Sequence, residues 1–486
     1  MSVSKKSHPK EEPLKRCIFH VDVNSAFLSW SAVKRLKENP AALDLRTVPS
    51  AVGGDVKTRH GVITAKSLPA KKFGIRTGEP VITALRKCPG LILVPADFET
   101  YRAYSRAFIA ILKKYARAVE QVSIDEAFLD MTGLESRFPA VSGEAPAAGG
   151  PQEFPDPRGT APHAAGSAER SGLSRTFPLN AAYLIKNEIR DTLQFTVNVG
   201  ISENKFLAKM ASDFEKPDKV HTLWPAEIPE KLWPLPIGSM YGCGRSTSAR
   251  LSAYGIRTIG DAARTSPEIL RSILGEKSGE TIWKSANGLN DSPVNGTPEE
   301  AKSYSNETTT SEDITSENFQ EKLPPLLEDL SQSVAFRMQQ DKVRALTVGV
   351  IVKTGSFRRH TRQLTIGRPT NSAAEILRTA TRLMNELLLG TAGHPGLFDA
   401  GEVLRLVGVS AQNLRGAADG SFEQLSLFDW AAALPPEPAP AAADSERRRK
   451  LSRMMKELDE KFGRGAVRRG PEEVTGDGPA DGPSRQ

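Results

Sequence analysis

The sequence predicts an α/β chain of several domains, and three observations support this. Its 486 residues are enough for about three or four domains of ordinary size. Short apolar runs such as "CIFHVDV" (17–23) are typical of buried strands. The segments between them, such as "SAFLSWSAVKRLKEN" (25–39), repeat apolar side chains at helical spacing. Strands and helices therefore alternate along one chain.

Charge and cysteine content narrow the class of protein. The net charge of +7 favours a polyanionic partner, with nucleic acid ahead of a membrane surface. No apolar run approaches the roughly 18 residues that span a bilayer, and the N-terminus lacks the apolar core of a secretory signal. Three scattered cysteines without a CxxC pair argue against a disulfide framework or a zinc site. We expect a cytoplasmic protein that binds no membrane.

The elements follow in order. A first strand ends at Asp22, and a helix follows it over 25–39. Residues 48–95 alternate β-branched segments with Gly and Pro, which predicts a small mixed lobe. Further periodic segments predict, in chain order, a helix at 101–119, a strand at 122–130, a helix through Ile185 and Ile189, a strand at 195–202, a helical region at 230–295, and strands at 345–353 and 403–414.

Two stretches have a different composition. Residues 138–177 are rich in Pro, Gly and Ala without apolar periodicity, which predicts a disordered insertion inside a domain. Beyond 414 the chain drifts to Ala and Pro, as in "AALPPEPAPAAAD" (432–444). We expect this tail to be mostly disordered.

Three acids are the main candidates for chemistry. The stretch "VSIDEAFLD" (122–130) holds adjacent carboxylates, Asp125 and Glu126, within a predicted strand, and Asp22 ends another strand. An unpaired buried carboxylate costs several kcal/mol, so something must compensate these acids. One interpretation is a hairpin tip in water. The other is a Mg²⁺ or Mn²⁺ site, since hard oxygen ligands without nearby Cys or His select those ions.

Two segments suggest contacts with phosphate. In "YGCGRSTSARL" (241–251), Gly242 and Gly244 let backbone N–H groups approach a phosphate, although an ordinary helix–turn–helix corner would have the same pattern. The segment 353–368 holds basic residues and no acid. On a strand it could follow a sugar–phosphate backbone, or it could be a solvated sheet face. Its candidate contacts are Lys353, Arg358, Arg359 and Arg362.

The motifs together resemble one family. "FHVDVNSAF", "SIDEAFLDMTGL", "VNVGISENKFLAKMAS", the Gly-Cys-Gly hairpin and "RLVGVSAQNL" resemble Y-family translesion DNA polymerases of the DNA polymerase IV type. The resemblance runs in order from about residue 16 to 413. It implies a right-hand polymerase with palm, small fingers, helical thumb and an α/β little finger, most simply a monomer that binds primer–template DNA and deoxynucleoside triphosphates.

The resemblance also divides the chain. It implies a flexible N-terminus at 1–15, a palm at 16–26 and 97–214 interrupted by the insertion at 138–177, and fingers at 27–96. It places a thumb with a helix–hairpin–helix at 215–295, a linker at 296–303, a little finger at 304–413 and the tail at 414–486.

Site residues carry over one by one. Asp22, Asp125 and Glu126, with the Val23 carbonyl, would bind two Mg²⁺ ions. Phe27 would be an aromatic gate against the 2′-hydroxyl of a ribonucleotide, although it could instead be a core residue of its helix.

The nucleotide-binding lysines carry over with departures from the family pattern. Lys205 would reach the triphosphate, although a lone lysine is more often a surface charge. Leu68 and Lys71 stand where the family usually has a Tyr and an Arg, so nucleotide binding is weaker or Lys66 shares the load. Asn24 also replaces the usual Asp.

The tail segment "QLSLF" (424–428) resembles the peptide by which bacterial polymerases bind the sliding clamp. Gln424 would hydrogen-bond in the clamp pocket, with Leu425, Leu427 and Phe428 as apolar anchors; a turn of tail helix is the alternative. Two other functions remain open: a catalytically silent scaffold for DNA and clamp, and a metal-dependent nuclease.

Overall fold

The protein is described here from a computed structural model, which covers residues 16–54, 61–139, 176–297 and 300–416, together with Met454. The described residues from 16 to 416 belong to one compact unit. Within the described ranges, no helix has both the length and the apolar character needed to cross a membrane. The tail peptide at 424–428 lies outside the described residues.

The palm is built on a five-stranded sheet with the order β5-β6-β1-β7-β8. All neighbouring pairs are antiparallel except β7 with β8. The strands are β1 (Ile18–Val23), β5 (Ala118–Gln121), β6 (Glu126–Asp130), β7 (Val197–Ser202) and β8 (Val220–Thr222). The palm helices are α1 (Ala26–Glu38), α4 (Phe98–Tyr115), α5 (Leu179–Leu193) and α6 (Lys205–Ser212).

The two faces of this sheet have different roles because side chains alternate along each strand. Phe19 and Val21 of β1 lie in a core cluster with residues of α1, α4 and α5. The opposite face carries His20 and Asp22. Helix α6 packs against β1 and β7. A Cβ on Gly200 of β7 would lie 2.0 Å from the Ala208 carbonyl oxygen. Glycine there lets α6 approach the sheet closely.

The predicted insertion at 138–177 is shorter at both ends than we expected. The Phe138 ring is buried, and its centroid lies 6.0 Å from that of Phe177. The side-chain amide of Asn180 donates to the carbonyl oxygens of Phe138 and Pro139. The chain therefore leaves and re-enters the palm at neighbouring points, as an insertion within a domain requires. The contacts of Phe138 and Phe177 could not be predicted, because both residues adjoin sequence without apolar periodicity.

The fingers are small. They contain a three-stranded sheet with the order β3-β2-β4 and two short helices. The elements are β2 (Ser50–Gly53), β3 (Ile63–Lys66), α2 (Leu68–Lys72), α3 (Val81–Lys87) and β4 (Ile92–Val94). The predicted boundary at residue 27 cuts through α1, whose Trp30 and Val33 pack in the palm core.

The thumb is helical, as the sequence predicts, but it begins later. Strand β8 pairs with β7 of the palm sheet, so the palm continues past the predicted end at residue 214. The strand is only three residues long and has no periodicity that could have marked it. The thumb helices are α7 (Arg245–Ala253), α8 (Ile259–Arg264), α9 (Pro267–Leu274) and α10 (Glu276–Ala286).

The little finger is a four-stranded antiparallel sheet, order β11-β10-β14-β9, with two helices on one face. A small hairpin of β12 and β13 follows the second helix. The elements are β9 (Ser303–Ile314), α11 (Phe319–Gln340), β10 (Val343–Thr354), β11 (Arg359–Thr370), α12 (Ala373–Leu389), β12 (Gly390–Thr391), β13 (His394–Pro395) and β14 (Leu404–Gly416).

Candidate active site

The three predicted acids meet at one end of the palm sheet. Asp22 pairs directly with Glu126 across β1 and β6, so their side chains share a face about 5 Å apart at Cβ. Asp125 lies in the β5–β6 turn, and its carbonyl oxygen accepts the Val23 N–H at 3.0 Å. The prediction of one strand over 122–130 was wrong, because β6 begins at Glu126. The acids thus lie both at a hairpin turn and in a cluster of carboxylates, so the two interpretations from the sequence describe the same location.

Basic side chains balance these acids. Lys209 of α6 lies 2.5 Å from Glu126. Lys216 contacts Asp22 and also lies 2.8 Å from Asp213. Among the described residues, no three His, Cys or acidic side chains converge as a ready metal site, and lysines hold two of the three carboxylates. The three carboxylates, with the Val23 backbone carbonyl, are an all-oxygen donor set of the kind that a divalent cation such as Mg²⁺ prefers.

The electrostatics differ among the acids. Burial, followed by the charges of Asp22 and Glu126, raises the pKa of Asp125, although a hydrogen bond from Ser123 opposes this. His20 and Lys209 lower the pKa of Glu126 to about 2. Asp125 is therefore the carboxylate with least compensation in the free protein, and a bound cation would relieve it most.

His20 is a residue that the sequence interpretation missed. We expected no histidine near the acids, but His20 Nε2 lies 3.2 Å from Glu126 Oε2. Its Nδ1 lies 2.7 Å from Ser212 Oγ, and Ser212 in turn donates to the Lys209 carbonyl. The period of two along β1 puts His20 on the face of Asp22, a signal that was available in the sequence.

A cavity of about 330 Å³ opens beside the acids, between palm and fingers. Lys66, Lys71 and Lys216 line it, and none of its described lining residues is acidic. Arg46 also lines it, but this guanidinium is held by Asp44 at 2.8 Å. The full lining is Asn24, Ser25, Leu28, Ser29, Arg46, Lys66, Ser67, Leu68, Lys71, Thr196, Lys216 and Pro217.

The lysines make this cavity suitable for an anion. Burial, followed by the charge of Lys71, lowers the pKa of Lys66. Lys66 donates to Thr77 Oγ1 at 3.1 Å, while the neighbouring Glu79 is paired with Lys87 at 2.5 Å. Cations that repel one another in a partly buried cavity attract a multiply charged anion strongly. Lys71 and Lys66 both line this cavity.

Lys205 does not lie in this cavity, which corrects its predicted role. Its ammonium is 2.8 Å from both oxygens of Glu120 on β5, and it is absent from the cavity lining. Lys216, eleven residues later, lines the cavity and contacts Asp22. Lys205 starts α6 in a recognisable motif, whereas Lys216 lies in a loop without any local signal.

Lys205 and Glu120 instead help to hold the segment that follows the thumb, around Asn295. The Asn295 N–H donates to Glu120 at 2.7 Å, and the Arg16 guanidinium donates to the carbonyl oxygens of Asp291 and Ser292. The segment that follows the thumb is thereby attached to the palm.

We expect Glu120→Gln to weaken this attachment. The glutamine side chain has the shape of glutamate but lacks the negative charge to which Lys205 and the Asn295 N–H both donate. Hydrogen exchange at the Asn295 amide should accelerate roughly fivefold. Glu99→Gln, at an exposed position of α4, is the matched control and should leave that amide unchanged. Equal exchange in wild type and Glu120→Gln would contradict the assignment.

A buried amide network holds the loop that carries Lys216. Asn24 Oδ1 accepts hydrogen bonds from Thr196 Oγ1 and the Asp218 N–H, both at 2.9 Å. Its amide nitrogen donates to Asn198, whose own amide donates to the Glu215 carbonyl at 2.6 Å. Asn24 thus helps to position the cavity residue Lys216. An aspartate here could accept the same hydrogen bonds but could not donate one to Asn198.

Phe27 lies in the first turn of α1, two residues after the cavity residue Ser25. Its ring is half-buried and stacks on Tyr101, with centroids 4.6 Å apart and planes inclined by 10°. The core and gate interpretations are thus compatible, because one face of the ring is packed while part of the residue stays accessible.

The thumb presents its glycine hairpin to solvent. Gly242 has φ of +84°, a conformation that favours glycine. A Cβ on Gly242 or Gly244 would meet nothing within 4 Å. Cys243 between them is buried in the thumb core. The first turn of α7 holds no acid.

The basic strand of the little finger divides between two faces. Lys353 pairs with Arg359 across β10 and β11, on the face away from the helices, and Arg358 immediately precedes β11. Arg362 lies on the helix face instead, where it donates to Glu386 of α12 at 2.9 Å. The predicted grouping of Arg362 with Arg359 is corrected, since an odd separation along a strand puts two side chains on opposite faces.

Family models match most of the described domains. The impB/mucB/samB family matches residues 21–213, and its C-terminal domain matches 301–427. A DNA polymerase-iota thumb domain matches residues 238–290. The DNA polymerase IV of Clostridium acetobutylicum is 37% identical over 86% of this chain and 91% of its own length. DNA polymerase IV 1 of Bacillus subtilis is 32% identical over 94% of this chain.

The chain belongs to the Y-family DNA polymerases, of the DNA polymerase IV type. It is accordingly a DNA-directed DNA polymerase. A solved Y-family polymerase chimera has the same fold, with a TM-score of 0.63 at 22% identity, and covers 82% of this chain. This agreement confirms the predicted right-hand polymerase fold.

Membership of this family bears on how the acids of the site are interpreted. Y-family polymerases use divalent metal ions, and the acids of this polymerase stand beside the lysine-lined cavity. The clamp-binding assignment of Gln424, Leu425, Leu427 and Phe428 stays a prediction, because these residues lie outside the described ranges.

Proposed function

We propose that this polymerase adds deoxynucleotides to a primer 3′ end by two-metal phosphoryl transfer, and that it extends primers past damaged template positions. The observation that carries the proposal is the meeting of Asp22, Asp125 and Glu126 next to a cavity lined by lysines. Acids for metals and cations for a triphosphate are the two requirements of this chemistry.

Asp22, Asp125 and Glu126, with the Val23 carbonyl, would hold two Mg²⁺ ions. When bound, such ions activate the primer 3′-hydroxyl for attack on the α-phosphate and stabilise the leaving pyrophosphate. The raised pKa of Asp125 supports the fit, because burial and, after it, the negative charges of Asp22 and Glu126 disfavour its carboxylate. Lys209 and Lys216 hold that charge in the free protein.

The lysines of the cavity would bind the triphosphate. Lys66 and Lys71 approach from the fingers, and Lys216 approaches from the palm. Lys216 would exchange the Asp22 carboxylate for a phosphate oxygen, so the same ammonium serves both states. Lys71 supplies charge without the bidentate fork of an arginine, and Lys66 adds the charge that compensates.

Phe27 would exclude ribonucleotides. We expect Phe27→Ala to lower the preference for deoxynucleotides by about tenfold to a hundredfold, because the side chain would no longer fill the volume of a 2′-hydroxyl. The measurement compares kcat/KM for dCTP and CTP opposite template dG. Unchanged sugar discrimination would remove the gate assignment.

Damage tolerance is supported by the size of the fingers. Their helices have five and seven residues, and their strands have four residues or fewer. Such a small lobe encloses the templating base loosely, which admits distorted bases at a loss of fidelity. The glycine hairpin of the thumb and the Lys353–Arg359 face of the little finger would hold the duplex through its phosphates.

Tethering is a further part of the proposal. Residues 424–428 would bind the sliding clamp in the cytoplasm and raise the concentration of a weak polymerase at the primer end.

Primer extension tests the proposal directly. The purified protein is given Mg²⁺ and four deoxynucleotides, with an undamaged template and one that carries an abasic site. Extension on the first and bypass on the second are expected. Intact DNA binding without extension on either template would favour a silent scaffold, and release of mononucleotides without added nucleotide would favour a nuclease.

A further inference from the structure

Among the described rings that contact Phe27, only Tyr101 stacks on it. The ring planes of Phe27 and Tyr101 are nearly parallel, inclined by 10° with centroids 4.6 Å apart, whereas those of Trp30 and Phe98 are inclined to Phe27 by 50° and 75°. Tyr101 is 0% exposed, so it cannot contact a nucleotide. It forms a flat support behind Phe27.

The support is itself fixed to the turn that carries Phe27. Ser31 Oγ donates to the Phe27 carbonyl at 2.8 Å. Since its one proton is used there, the Tyr101 hydroxyl donates to Ser31 Oγ at 2.9 Å. The chain Tyr101–Ser31–Phe27 therefore ties the ring of Tyr101 to the backbone of Phe27, and the two rings hold a fixed offset.

A steric gate needs such support. It separates two sugars that differ by one oxygen atom, and a ring free to shift by about 1 Å would admit both. We propose that Tyr101 is a positioning residue for sugar selection, which holds Phe27 where a 2′-hydroxyl would clash. This inference rests on the proposed role of Phe27 as the gate.

The test compares kcat/KM for dCTP and CTP in four single variants and one double variant. Tyr101→Leu removes the flat support, and we expect the deoxynucleotide preference to fall roughly tenfold, with a smaller loss in kcat/KM for dCTP. Tyr101→Phe keeps the stack and should retain the preference within about threefold. Tyr104→Leu is the matched control, because Tyr104 stacks on Trp30 and not on Phe27, and it should retain the preference.

The reference variants separate the two proposals. Phe27→Ala combined with Tyr101→Leu should be no less selective than Phe27→Ala alone, because no ring remains to be positioned. Loss of preference in Phe27→Ala but not in Tyr101→Leu would overturn the role of Tyr101 and leave the gate. Full preference in Phe27→Ala would overturn the gate, and the role of Tyr101 with it.

Reduced folding does not obscure this readout. Both sugars are measured on the same preparation, so a smaller folded fraction cancels in the ratio of the two kcat/KM values. If Tyr101→Leu yields no folded protein by circular dichroism, Tyr101→Met, which keeps more of the buried volume, takes its place with the same expected loss.

Discussion

Asp125→Ala should lower kcat for primer extension by at least about a thousandfold, the scale seen when a member of a catalytic unit is removed. The same change should leave the free enzyme at least as stable as wild type. Burial and the charges of Asp22 and Glu126 disfavour the Asp125 carboxylate, so its removal relieves repulsion in the absence of metal. Activity and thermal unfolding without metal, measured on one preparation, check both parts.

Asp130→Ala is the control for Asp125→Ala. Asp130 lies on the same hairpin strand and shares the face of Glu126, but it pairs with Ile18 at the far end of β1. Extension should continue at close to the wild-type rate. Full activity in Asp125→Ala would remove this residue from the metal site, and a marked loss of stability there would show that its carboxylate supports the fold instead.

Lys216→Ala should raise the KM for deoxynucleotides by about tenfold to a hundredfold, equivalent to about 1.4 to 2.8 kcal/mol of lost binding. Its ammonium is one of the three lysine ammonium groups of the cavity, and a phosphate oxygen would be its partner in the complex. Lys205→Ala, in contrast, should leave KM within about twofold, because the Lys205 ammonium is held by Glu120. Steady-state kinetics with one correct nucleotide on an undamaged template give both values.

Lys216→Arg refines the comparison. The guanidinium keeps the charge but cannot adopt the compact geometry of an ammonium between Asp22 and Asp213, so we expect an intermediate KM. A raised KM in Lys205→Ala with normal kinetics in Lys216→Ala would reverse the assignment and restore the one made from sequence.

Much of the fold follows from local pattern. The strand ending at Asp22 and the helices through Phe108 and Ile185 were predicted because one side of each packs in the core, which leaves a period of two or 3.6. Strand β8 could not be predicted, since three residues carry no period. The aromatic anchors at Phe138 and Phe177 lie in low-complexity sequence, where composition obscures single contacts.

The site was predictable where its residues share a strand or a turn. Asp22, Asp125 and Glu126 are such residues, and pairing of their strands brings them together. Lys216 reaches Asp22 across 194 positions of the chain, and the loop that carries it is held by Asn24 and Asn198. Contacts of that kind depend on tertiary structure and leave no mark in a single sequence.

The stacked pair of Phe138 and Phe177 also suggests that sequence can be added to the palm between these two residues. Because the two anchors adjoin, added sequence between them need not separate the elements that they join, and closing a flexible loop costs only about 0.6 kcal/mol more for each doubling of its length. A fluorescent protein or an affinity tag placed near residue 158 should therefore leave polymerase activity intact. Such a fusion would allow single molecules to be followed at a primer end without labelling either terminus.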